Sequence, residues 1–148
     1  MSNEKNYDTG ISTVISGSFR KHLFGIAVLK NILENEGINV LSPIGNTSVN
    51  LGEEFVILDS DPVSSPELLQ SSVFAKIRKS TFLMLANFDG YIGNAAILEI
   101  GYALALGVKM FALEPVSDPN LAPYIFPIEN ILPDVKDDLA MKMLSNCD

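Results

Sequence analysis

The chain has 148 residues, 47% of them hydrophobic and 19% charged, with a net charge of −8. That length and balance fit one domain (1–148) with an apolar core. The negative charge argues against a nucleic acid polymer as main partner, because a phosphate backbone needs a basic surface. One cysteine, Cys147, and one histidine, His22, exclude an internal disulfide, a cysteine-built zinc site and a multi-histidine metal site. No cofactor is expected. The cysteine usage points to a reducing, cytoplasmic setting. The apolar runs are too short to span a membrane.

In chain order, residues 1–10 are polar and lack an apolar leader core, so they are expected to be flexible, with no signal peptide. Residues 12–16 form a β-branched run closed by Gly17-Ser18, which reads as a strand and a turn. Residues 19–36 repeat apolar side chains at helical spacing, and Gly37 stops them. A short strand follows at 38–41, closed by Ser42-Pro43. Residues 44–54 are rich in Gly, Asn and Ser and read as loop. The run 55–58 fits either an edge strand or a helical turn, and 59–66 is turn-like. Residues 67–79 read as a helix capped by Ser64 or Ser65, with Pro66 in its first turn. Residues 82–86 are a buried strand, and a turn-prone loop (Asn87 to Gly93) leads into an apolar helix that Gly107 ends. A further strand is expected at 108–113, a loop or short helix at 118–124, a last strand at 126–131 and a terminal helix at 133–145.

Strands alternating with helices imply βαβ units and a parallel sheet. About five strands in this length give a flavodoxin-like, doubly wound α/β domain, whose ligands bind beyond the C-terminal ends of the strands at the topological switch point.

Two segments meet there. In Ser16-Gly17-Ser18-Phe19-Arg20-Lys21, the amides at a helix N-terminus favour an anion, Ser18 donates, and Arg20 grips a phosphate or carboxylate. The plainer reading is an ordinary strand-to-helix turn with two surface cations. In the second segment, Asn87, Asp89, Gly90 and Gly93 shape a loop around Tyr91, whose ring suits stacking on a base or sugar. Glu99 follows on the apolar helix, placed to act as nucleophile or general base. Its plainer reading is an acid satisfied by backbone amides or by Arg20 or Lys21. Ser42 ends its strand close to the same crevice. His22 is expected to be solvated or capping. Asp59 and Asp61 read as solvated loop acids.

Three stretches resemble the nucleoside 2-deoxyribosyltransferase-like superfamily, which includes deoxyribosyltransferases and 2′-deoxynucleoside 5′-phosphate N-hydrolases. They are Val14-Ile15-Ser16-Gly17-Ser18-Phe19-Arg20, Gly37-Ile38-Asn39-Val40-Leu41-Ser42-Pro43, and Gly90-Tyr91-Ile92-Gly93 through Glu99-Ile100-Gly101-Tyr102-Ala103. With the element order they cover the chain to about Pro115, and they look closest to a branch with Gly-Tyr-Ile-Gly before the glutamate. The resemblance implies that Glu99 attacks C1′ of the sugar, the base departs, and water or a second base resolves the glycosyl-enzyme. It implies that Gly17, Ser18 and Arg20 hold a 5′-phosphate, and that the protein is a homo-oligomer. The family's acidic partners are replaced: the matching positions hold Thr81 in one place and Ser71 or Ser72 in another, with Asp89 as the candidate stand-in. Gly93, Asn94, Ala95 and Ala96 precede the glutamate where a Ser or Asp is common.

The expected site is therefore Glu99 as the catalytic residue, with Gly17, Ser18, Phe19, Arg20, Ser42, Asn87, Asp89, Gly90, Tyr91 and Gly93 binding a small nucleoside or nucleotide. The rival expectation is a module that binds a nucleotide-derived ligand without turnover.

Overall fold

Aliphatic, strand-forming runs supply five parallel strands: β1 (Ser12–Gly17), β2 (Asn39–Ser42), β3 (Phe82–Ala86), β4 (Lys109–Ala112) and β5 (Ile125–Pro127). In this computed structural model, which describes residues 9–45 and 65–145, they lie in the order β2-β1-β3-β4-β5. Every neighbouring pair is parallel. This is the flavodoxin-like α/β arrangement, with its switch point between β1 and β3. The expectations for 1–8 and 46–64, including the undecided run at 55–58 and Asp59 and Asp61, lie outside the described residues.

The helices are α1 (Phe19–Asn35), α2 (Pro66–Lys79), α3 (Asn94–Leu106) and α4 (Val135–Ser145). Alternation along the strands sends neighbouring residues to opposite faces. On one face Ile15, Met84 and Phe111 pack with Ile26, Leu29 and Leu33 of α1 and Leu139 of α4. On the other, Val14, Leu83 and Met110 pack with Ile77 of α2 and Ala96, Ile100 and Ala103 of α3. Each helix is thus held by an apolar stripe, the main source of helix stability in proteins. Among the described residues no helix is long and apolar enough to cross a membrane.

The ends of the elements follow local chemistry. Ser18 caps α1 by accepting from the Lys21 amide at 3.2 Å, and Gly37 beyond its end has φ +82°. Ser65 caps α2, where Pro66 opens the first turn and Lys76, Arg78 and Lys79 stand in the last, matching the helix dipole. The last strand is shorter than expected from 126–131. Pro127 has no N–H to extend the ladder, and Ile128–Asn130 turns into a 3₁₀ segment. The terminal helix starts at Val135, not 133, because Pro133 and Asp134 form the turn that enters it.

Candidate functional site

At the C-terminal end of the sheet, Gly17 of β1 lies beside Ala86 of β3. From there the chain leaves β1 toward α1 on one face and β3 toward α3 on the other. The diverging connections open a cavity of about 510 Å³. Among the described residues its walls are the β1–α1 turn, Ser42-Pro43 at the end of β2, one face of α2, Tyr91 of the loop after β3, and the start of α3.

Glu99 sits at the cavity's inner wall. Ala96, Glu99, Ile100 and Ala103 are the buried residues of α3, so the acid occupies a position that helical spacing gives to a core side chain. Its carboxylate is engaged at both oxygens. Ser16 Oγ donates to Oε1 at 2.6 Å, and Gln70 Nε2 donates to Oε2 at 2.8 Å. Burial pushes the Glu99 carboxyl above its usual range, and the hydrogen bonds from Ser16 and Gln70 pull the other way.

Of the residues expected at the site, Gly17, Ser18, Phe19, Arg20, Ser42, Tyr91, Gly93 and Glu99 line this cavity. Asn87, Asp89 and Gly90 are not among its lining residues, and each has another placement. The Asn87 side chain is buried and exchanges hydrogen bonds with the Glu114 backbone, donating to its carbonyl and accepting from its amide, each at 3.0 Å. This stitches the loop after β3 to the end of β4. Asp89 and Gly90 make the tight turn, with φ +58° and +78°, values that Asp and Gly tolerate. The Asp89 side chain is 93% exposed and stands 3.8 Å from His22 Nε2.

His22 is neither solvated nor a cap. Its ring lies 5.4 Å from Phe88 and 6.4 Å from Tyr91 between centroids, where the backbone of α1 departs from helical values. The loop therefore docks on the first turns of α1, with the Lys21 ammonium 4.5 Å from the centre of the Tyr91 ring, a cation–π distance.

Thr81, where the resemblance would put an acid, immediately precedes β3 at the opposite end of the sheet, its side chain accepting from the Ser12 amide at 3.0 Å. An acid there could not serve this cavity. Of the other matching positions, Ser72 lines the cavity and Ser71 is exposed. The residue that reaches Glu99 is one position earlier, Gln70. Neither it nor Ser16 was expected as a partner of Glu99. Two signals point to them. Ser16 shares the strand parity of Val14, whose face α3 covers, and Gln70 falls beside the apolar stripe Leu69, Val73, Ile77 of α2. Lys76 also lines the cavity.

Gly17 is fixed by packing. A Cβ added there would lie 3.0 Å from the Ala86 carbonyl oxygen and 3.2 Å from Ile26 Cδ1. The nearest atom is strand backbone, which cannot swing aside. Gly17→Ala is expected to cost about 1–3 kcal/mol, read as a lower denaturant midpoint with unchanged slope.

No family model, curated protein or solved structure matches the chain. Fold and cavity together define an α/β protein of flavodoxin-like topology with a buried carboxylate at its switch point. Among the described residues no group of three or more His, Cys, Asp or Glu could hold a metal ion.

Proposed function

We propose that the protein cleaves or transfers the N-glycosidic bond of a nucleoside or nucleoside 5′-monophosphate, with Glu99 as nucleophile. The observation that carries this reading is the Glu99 carboxylate, buried yet bordering a cavity of about 510 Å³ and held by two neutral donors. Cavities of that size are typical of small-ligand sites, and a core position is a costly place for an acid without a task.

In the proposed reaction a Glu99 oxygen bonds to C1′, and the C1′–N bond breaks with its electron pair leaving on the base. The base takes a proton from solvent. Water then adds to C1′, the ester bond to Glu99 breaks, the carboxylate is restored and the water's proton is released. A second base in place of water gives transfer. Two displacements retain the anomeric configuration. Gly17, Ser18 and Arg20, at the N-terminus of α1, are suited to a 5′-phosphate.

The test is chromatography of free base released from a panel of nucleosides and their 5′-monophosphates. Arg20→Ala is expected to lose about tenfold or more on monophosphates while sparing nucleosides, the size of one charge-assisted contact. Equal loss on both would remove Arg20 from phosphate binding. Base release from no substrate would sink the glycosidic reading.

The same proposal includes a homo-oligomer in the cytoplasm. Supporting the oligomer, α3 turns Ile97, Leu98 and Leu104 to solvent, and its one ionisable acid is inward-facing Glu99. The second reading is a binding module without turnover. It is favoured by Glu99 having both oxygens already engaged by protein donors, as in a structural polar pair. Ligand-induced thermal stabilisation without product would establish it.

A further inference from the structure

We propose that Gln70 is a positioning residue: its side-chain amide, opposite the Ser16 hydroxyl, clamps the Glu99 carboxylate between α2 and β1 and sets which lone pairs face the cavity. The inference rests on the reading of Glu99 as the attacking group and assigns a part to α2, the helix on which the resemblance put an acidic partner at Ser71 or Ser72.

The geometry is specific. Ser16 holds Oε1 from the sheet, at 2.6 Å, and Gln70 holds Oε2 from α2, at 2.8 Å. A carboxylate accepts at both oxygens and donates at neither. The Gln70 amide therefore has one favourable orientation, Nε2 toward Glu99, because its Oε1 in that place would oppose a negative oxygen. With one donor on each oxygen, the carboxyl plane is fixed and a second lone pair on each remains to face the cavity. Near-attack alignment of this kind is worth orders of magnitude in rate. An uncharged clamp also suits a nucleophile. An Arg or Lys in the same place would hold the anion but blunt its attack, and an acid would compete for its charge. Among the described residues, the other ionisable side chains lining the cavity are Arg20 from α1, Lys76 from α2 and Tyr91 from the loop after β3. All three remain in the variants below, so they form a constant background.

The test reads Glu99 directly. Full-length protein labelled with ¹³C at the glutamate side-chain carboxyls is titrated by NMR, and Glu99 is assigned as the resonance missing from Glu99→Gln. Gln70→Leu, which keeps bulk and removes the donor, is expected to move the Glu99 midpoint up by about one pH unit. Gln70→Glu is expected to give two coupled steps, since two facing carboxyls share a proton, and it carries the test if Gln70→Leu does not fold. Identical Glu99 titration in wild type and both variants would overturn the clamp. Where base release is observed, Gln70→Leu should lower kcat more than it raises KM and shift the acid limb of the pH profile upward. A moved midpoint in a protein that releases no base would support the clamp and remove only the glycosidic reading.

Discussion

Glu99→Gln is expected to lower base release by at least about a thousandfold and, at neutral pH, to raise the melting temperature. The rate loss follows from the proposed chemistry. An amide is a poor nucleophile and a worse leaving group, so the covalent route closes, and a thousandfold corresponds to about 4 kcal/mol of transition-state stabilisation. The gain in stability follows from burial. Burial holds the Glu99 carboxyl above its usual range in the folded protein, so the folded state binds the proton more tightly than the unfolded chain. The favourable contribution of the protonated acid is complete below about pH 4 and is lost as pH rises through the raised folded value. The wild type therefore carries the full desolvation penalty above that value, and the neutral variant does not. The introduced amide keeps the shape. Its oxygen accepts from Ser16, and its NH₂ meets Gln70, whose own amide turns over to accept. A gain of about 3 °C for each kcal/mol relieved is expected, shrinking to nothing as pH falls. Thermal melts of both proteins across pH, beside the chromatographic assay, check the two halves separately. Stability gained with activity retained would show that the acid is buried for some purpose other than attack.

Ile26→Ala is expected to destabilise the fold by roughly 2–5 kcal/mol, lowering the melting temperature by roughly 6–15 °C. Ile26 is fully buried on α1, within the cluster that joins α1 and α4 to the sheet. Its deletion removes buried methyl and methylene groups and leaves a void that a close-packed interior fills only partly. Ile26 matters beyond the core because its Cδ1 would lie 3.2 Å from a Cβ built on Gly17. The side chain is a backstop for the β1–α1 turn that the proposed phosphate site uses. Denaturant unfolding with unchanged slope would show a change in stability alone. Ile26→Val, which keeps most of the contact, should cost only about 0.5–1.5 kcal/mol. Equal effects from the two variants would mean that the site collapses around either.

Local chemistry made much of the architecture legible in the sequence. Alternating aliphatic runs and helical stripes, punctuated by Gly37, Pro66 and Gly107, are signals carried within a dozen residues. They placed the described helices and strands within a few positions, apart from β5, which Pro127 cuts short. The order of those elements, with right-handed crossovers, left few ways to form a parallel sheet. Glu99 was legible for the same reason, as an acid in an apolar helix after a strand and a turn-rich loop.

Partners brought from distant segments were decided only by the tertiary structure. Asn87 and Asp89 look alike in sequence as polar turn formers. Asn87 is spent on the Glu114 backbone and Asp89 stands in solvent near His22, because the register of β3 against β4 and the docking of the loop on α1 fix where each side chain goes. Thr81 falls at the far end of the sheet for a similar reason: five extended residues of β3 separate it from the cavity. Gln70 and Ser16 lie 29 and 83 residues from Glu99 in the chain. The sequence by itself determined a doubly wound α/β fold and a lone acid beside its switch point. The packing of α2 and α3 on one face of the sheet decided which two donors hold that acid, since contacts between distant segments leave no local pattern to read.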